Sequence, residues 1–259
     1  MKRITLVAAL PVVFWLTFSC AVAGAQTAQE VSYPSGNETV HGLLYLPAGT
    51  GRHPALVVIH EWWGLNDWIK EQARHFAQQG YVTLAVDLYR GKVAADPETA
   101  HELMRGLPQD RGVRDLTSAV TWLKHRADVD PRRIGAIGWC MGGGYAAQLA
   151  VADPKLRAVV INYGSLPTDR SALKRIHAAV LGNFGGQDRG ITPDDVHAFQ
   201  SAMETMGKSV NLKIYPDAGH AFENPNNTGG YRPEDARNAE ERADRFLADH
   251  LQPSRNQHS

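Results

Sequence analysis

Cys140 stands in the run Ile134-Gly135-Ala136-Ile137-Gly138-Trp139-Cys140-Met141-Gly142-Gly143-Gly144, where an apolar strand breaks into glycines. Gly138-Trp139-Cys140-Met141-Gly142 has the G-x-nucleophile-x-G spacing of a nucleophile elbow, with cysteine where serine is usual. A residue at the tip of so sharp a turn is held in strained backbone geometry, and glycines two residues either side let strand and helix approach. At a helix N-terminus a thiol is also favoured as thiolate. The competing reading is a buried structural cysteine beside an incidental glycine cluster.

Further residues weigh against that alternative. His220 lies in Pro216-Asp217-Ala218-Gly219-His220-Ala221-Phe222 and Asp188 in Phe184-Gly185-Gly186-Gln187-Asp188, so nucleophile, acid and base follow one another in the order an α/β-hydrolase uses. A carboxylate at Asp188 would hold the imidazole's tautomer and stabilise its charged form. Asp217 is the rival acid, although a Pro-Asp turn three residues before His220 suits a turn former better. Glu61 ends the run Leu56-Val57-Val58-Ile59-His60 at the sheet edge where α/β proteins bind ligands; a plain strand-end acid paired with a base is the bland alternative. The loop after this strand is where an oxyanion hole is expected, so the backbone N–H groups of Trp62 and Met141 are its candidates. His60-Glu61 does not extend to His-Glu-x-x-His, and no zinc site is expected.

Short apolar runs alternate with amphipathic stretches, which predicts an α/β fold with a mostly parallel sheet and helices on both faces. Strands are expected at 40–46, 55–60, 81–86, 133–137, 158–163, 179–184 and 210–215. Helices are expected after an Asp67 cap up to Gly80, at 97–104, 114–126 and 143–151, from the Thr192 cap, and at 234–251. The elbow, Glu61, Asp188 and His220 all fall at carboxyl ends of these strands.

The chain has 259 residues with 27 basic and 27 acidic side chains, a balance that does not point to nucleic acid. Residues 1–25 read as a signal peptide: Lys2 and Arg3 precede an apolar run, and Ala23-Gly24-Ala25 offers a cleavage site. Residues 26–259 would then form one domain, periplasmic or secreted, with no membrane attachment. Of the two cysteines only Cys140 would remain, since Cys20 lies in the leader. No intramolecular disulfide is possible, and a lone thiol in an exported protein is a liability unless it is used.

His60-Glu61-Trp62-Trp63-Gly64-Leu65-Asn66, Asp87-Leu88-Tyr89, the elbow, Gly186-Gln187-Asp188 and Ala218-Gly219-His220-Ala221-Phe222 together resemble the dienelactone hydrolase family over about 40–251. The resemblance implies an α/β-hydrolase fold and a Cys140-His220-Asp188 triad that cleaves small esters or lactones through a thioester, without metal or organic cofactor. It also implies that Glu61 contacts the resting thiol and helps generate thiolate. Two departures stand out. Where family members that open chlorinated dienelactones carry a carboxylate-binding arginine, four residues after the histidine, this chain has Asn224. Their other arginine and a nearby tyrosine fall in a segment that is shorter here; Arg90, Arg105 and Arg232 are the candidate replacements.

Export points the same way, because intermediates of catechol breakdown arise inside cells. The expected partner is therefore a different small ester or lactone, bound by a monomer. Trp62, Trp63, Tyr89 and Trp139 are expected to line an apolar pocket, with Tyr89, Trp63 and Trp139 as substrate contacts. A catalytically silent binding protein of the same fold is the main alternative. A thiol sensor is a third, weakened by the lack of a resolving cysteine.

Overall fold

A computed structural model describes residues 27–253. The signal-peptide assignment and Cys20 lie outside the described residues. Among these residues, one sheet of eight strands runs in the order β1-β2-β4-β3-β5-β6-β7-β8. The strands are β1 (Gln29–Ser35), β2 (Glu38–Tyr45), β3 (His53–Ile59), β4 (Val82–Asp87), β5 (Val129–Trp139), β6 (Ala158–Asn162), β7 (Ala179–Gly185) and β8 (Val210–Tyr215). β2 pairs antiparallel with β1 and β4; every other pair is parallel. The protein thus has an α/β fold with a mostly parallel sheet, of the α/β-hydrolase kind.

Among the described residues seven helices cover the sheet: α1 (Asp67–Gln78), α2 (Pro97–Arg105), α3 (Gln109–Lys124), α4 (Met141–Ala152), α5 (Arg170–Arg175), α6 (Pro193–Thr205) and α7 (Pro233–Leu251). One apolar face packs α3 to α6 against Val57, Ile59, Val159 and Phe184; the other packs α1 and α7 against Leu56, Val58, Val160 and Leu181. Successive side chains of a strand point to opposite faces, so strands buried on both sides read as unbroken apolar runs. No helix among the described residues is long and apolar enough to cross a membrane.

Local signals place most elements within a few residues. Thr192 and Asp195 form a capping box at α6, with Pro193 in its first turn. The α1 cap is Asn66 rather than Asp67: the Asn66 side chain accepts from the Ile69 N–H, and Asp67 is the first helical residue. Two elements had no sequence expectation. β1 is an edge strand with its outer positions exposed, and α5 is a single short turn capped by Asp169.

Candidate active site

Parallel register carries the chemistry to one edge of the sheet. Ile59 of β3 pairs with Gly138 of β5, Trp139 with Asn162 of β6, and Gly185 of β7 with Tyr215 of β8. The next residues along each strand are therefore neighbours in space: Glu61, Cys140, Tyr163, Asp188 and His220.

Cys140 lies between the end of β5 and the start of α4 with φ 54° and ψ −118°, a conformation that an L side chain adopts only under strain. Its N–H donates to the Asn162 carbonyl at 3.0 Å and its carbonyl accepts from Gly144 at 3.1 Å, which ties the turn to β6 and to the helix. The flanking glycines have steric causes. A Cβ on Gly138 would run into the Gly142 carbonyl, and one on Gly142 would meet the Ile59 and His60 carbonyls of β3.

Two backbone bonds join the loops after β7 and β8: the Gly186 N–H donates to Tyr215 O at 2.7 Å, and the Gln187 N–H to Ala218 O at 2.8 Å. The loops so joined bring His220 Nδ1 to 2.6 Å from Asp188 Oδ2, and His220 Nε2 to 3.0 Å from Cys140 Sγ. Asp188 is also anchored from behind, because its Oδ1 accepts the Gly190 and Ile191 N–H groups at 2.8 and 3.1 Å. Burial opposes charge on Asp188, but His220 and these two N–H donors outweigh it and hold the carboxyl below its ordinary range. Burial likewise opposes charge on His220, yet its bonds to Asp188 and Cys140 prevail and push the imidazole up to about 10. Asp217 does not compete: its side chain is 76% exposed, and its partner is Arg232 at 4.0 Å.

Glu61 is buried at the same edge. Asn224 Nδ2 donates to its Oε2 at 2.6 Å and the Tyr163 hydroxyl to its Oε1 at 3.3 Å. Burial dominates, and these two neutral donors and His220 only partly offset it, so the carboxyl is pushed up to about 7. The Cys140 thiol faces His220, while the hydrogen bonds of Glu61 run to Asn224 and Tyr163. His60 fixes the strand end beneath. Its Nε2 accepts the Leu88 N–H at 3.2 Å, which leaves Nδ1 to donate to the Glu61 carbonyl at 2.6 Å. With both nitrogens used and burial holding its pKa down, His60 is a neutral brace.

The nucleophile candidate opens onto a cleft of about 690 Å³, a size suited to a small-molecule ligand. Cys140, His220 and Glu61 reach it from the sheet, and Trp62 and Trp63 form one wall with ring centroids 5.0 Å apart. Among the described residues the backbone N–H groups of Trp62 and Met141 make no hydrogen bond to protein, as is usual for loop and first-turn donors.

The dienelactone hydrolase family model matches residues 40–251. The chain belongs to the dienelactone hydrolase family. It is an ester or lactone hydrolase. A Methylorubrum extorquens protein provisionally named carboxymethylenebutenolidase is 32% identical over 225 residues, spanning 82% of this chain and 76% of its own. The crystal structure of a provisionally identified Klebsiella pneumoniae dienelactone hydrolase is similar at TM-score 0.79 and 28% identity, over 87% of this chain and all of that one. A dienelactone hydrolase-like promiscuous phosphotriesterase from metagenomic libraries shares the fold at TM-score 0.81 and 24% identity, over 88% of this chain and all of that one.

Within this family member, two expected substrate contacts are displaced. Trp139 is adjacent to Cys140 in sequence but does not line the cleft: it is 2% exposed in the apolar layer beneath α1 and α7, packs edge-on against Trp68 and donates from Nε1 to Glu223. Tyr89 does not line the cleft: it is buried, and its hydroxyl reaches Met141 Sδ at 3.2 Å. Trp63 does line the cleft. Tyr163 had no sequence assignment. Its signal was its place at the end of the β6 run, and its ring stands edge-on to His220 at 5.3 Å.

Proposed function

We propose that Cys140, His220 and Asp188 hydrolyse a small ester or lactone in two steps through a thioester. The observation that carries this reading is the unbroken line Asp188 Oδ2, His220 Nδ1, His220 Nε2, Cys140 Sγ, with links of 2.6 and 3.0 Å, ending at the cleft. An imidazolium 3.0 Å from sulfur favours a thiolate neighbour, and the thiolate is the nucleophile.

In the first step Sγ bonds to the substrate carbonyl carbon, and the carbonyl electron pair moves onto oxygen. The N–H groups of Trp62 and Met141 hold that oxyanion, each donor contributing about 3 kcal/mol. The C–O bond to the leaving group then breaks, and the imidazolium of His220 protonates the departing oxygen. In the second step His220 takes a proton from water, hydroxide adds to the thioester, and the C–S bond breaks to release the carboxylic acid. Asp188 keeps the ring oriented and balances its positive charge throughout. Glu61, which lines the same cleft, sets the charge felt by His220.

With p-nitrophenyl acetate in excess, the protein should turn over steadily, and Cys140→Ala should lower kcat/KM by at least about a thousandfold. Equal turnover by the variant would refute the assignment of the nucleophile. We further propose that residues 1–25 are removed on export, so protein recovered outside the cytoplasm should begin at Gln26; recovery of an intact leader there would overturn this.

A further inference from the structure

The ionisable side chains lining the cleft are Cys140, His220 and Glu61; among the described residues no lysine or arginine lines it. None of the candidate arginines lines the cleft, and two of them are paired elsewhere. Arg90 pairs with the fully buried Asp115 at 2.7 Å, Arg232 lies against Asp235 and Asp217, and Arg105 is exposed in the last turn of α2. Asn224, at the place of the missing arginine, turns its amide onto Glu61 and accepts the Asn226 N–H through its other end. The rest of the lining is apolar or neutral, with Trp62, Trp63 and Met104 among the apolar groups and Asn226, Asn227 and Thr228 among the polar ones.

From this lining we propose that the substrate is an uncharged ester or lactone, whose apolar part lies against the tryptophans and whose neutral hydrogen-bonding substituents face the Asn226-Asn227-Thr228 loop. The proposal rests on the cleft being the hydrolytic site. A carboxylate brought here would leave water without meeting a lysine or arginine; the His220 imidazolium, the cation at the cleft, is already paired with Asp188 and faces the Cys140 sulfur, and the Glu61 carboxyl lines the same cleft. An amide or hydroxyl keeps its hydrogen bonds by exchanging water for the asparagine and threonine groups of the loop.

A matched pair tests this: one butenolide bearing a carboxylate and the same butenolide bearing a primary carboxamide, which differ in charge and hardly in shape. The carboxamide should have at least a tenfold higher kcat/KM, chiefly through KM. Thr228→Arg, which supplies a cation at the exposed rim without touching Glu61, should narrow or reverse that ratio. In parallel, Cys140→Ala protein should show the larger melting shift with the carboxamide. Equal or better turnover and binding of the carboxylate would overturn the proposal. Turnover that survives Cys140→Ala would sink the nucleophile assignment but leave the charge preference standing. Melting shifts ranked as expected with no turnover would uphold the charge preference against the hydrolytic reading. Neither turnover nor shift with either compound would overturn both.

Discussion

The loops after β3 and β7 each deliver a carboxyl group toward His220, with opposite electrostatic results. Asp188 accepts a histidine and two backbone N–H groups, and is held below the ordinary carboxylate range against its own burial. Glu61 accepts only an amide and a phenol in a fully enclosed place, and is pushed up to about 7. Burial acts in the same direction on both. Fixed, charge-complementary donors reverse it at Asp188 and are lacking at Glu61. One site therefore holds a committed anion, which suits orienting a histidine, and a carboxyl poised to change charge near neutrality.

The sharpest way to break this contrast is Asp188→Asn, which keeps the shape of the group and removes its charge. A fall in kcat/KM of about a thousandfold or more is expected, measured on the preferred ester at neutral pH, because the ring loses its tautomer and its counter-charge. A loss under tenfold would transfer the orienting role to another acid. Glu61→Gln should cost less, about tenfold, and should remove an inflection near pH 7 from the kcat/KM profile. The groups facing that carboxyl are Tyr163, His220, Asn224 and, more remotely, Glu223.

Stability against pH separates the same two groups. Glu61 has a folded value near 7 and an ordinary value of 4.5, so the folded state holds the extra proton between them. Its contribution is full at low pH and declines as pH rises from about 4.5 through about 7. Asp188 has the opposite sign: its contribution is present above the ordinary value of 3.8 and lost as pH falls below it. Thermal melts should lose the first slope in Glu61→Gln and the second in Asp188→Asn; unchanged slopes would refute the assignments. Asn224→Ala, which strips Glu61 of its shorter bond, should destabilise by about 1–3 kcal/mol in urea titrations. The smallest effect belongs to the rival acid: Asp217→Asn should keep kcat/KM within about twofold, as expected for an exposed turn residue.

Much of this site was legible in the chain because its parts are local. An elbow needs two glycines at fixed offsets, a cap needs Thr192 before Pro193-Asp194-Asp195, and a strand buried on both faces needs an unbroken apolar run. Residues placed by pairing across the sheet were not. Trp139 and Cys140 are adjacent, but the strand ends at the tryptophan and holds it in the core beside Trp68 and Glu223, while the turn that follows carries the cysteine to the cleft. Tyr89 follows the end of β4 in sequence, yet its ring is buried against His60 and its hydroxyl turns to Met141. Tyr163 was invisible because nothing local distinguishes a strand-end tyrosine in the core from one aimed at a buried acid 102 residues away in sequence.

The sequence by itself determined the fold class, the order nucleophile, acid, base, and the identity of each candidate group, since backbone sterics and apolar periodicity act over a few residues. Only the tertiary structure decided which carboxyl faces which nitrogen of His220, that Asn224 closes onto Glu61, and that, among the described residues, no lysine or arginine lines the cleft. Those outcomes depend on distances between loops far apart in the chain, and on how completely water is excluded where they meet. The charge states of the two carboxyl groups follow from that enclosure, which no run of neighbouring residues encodes.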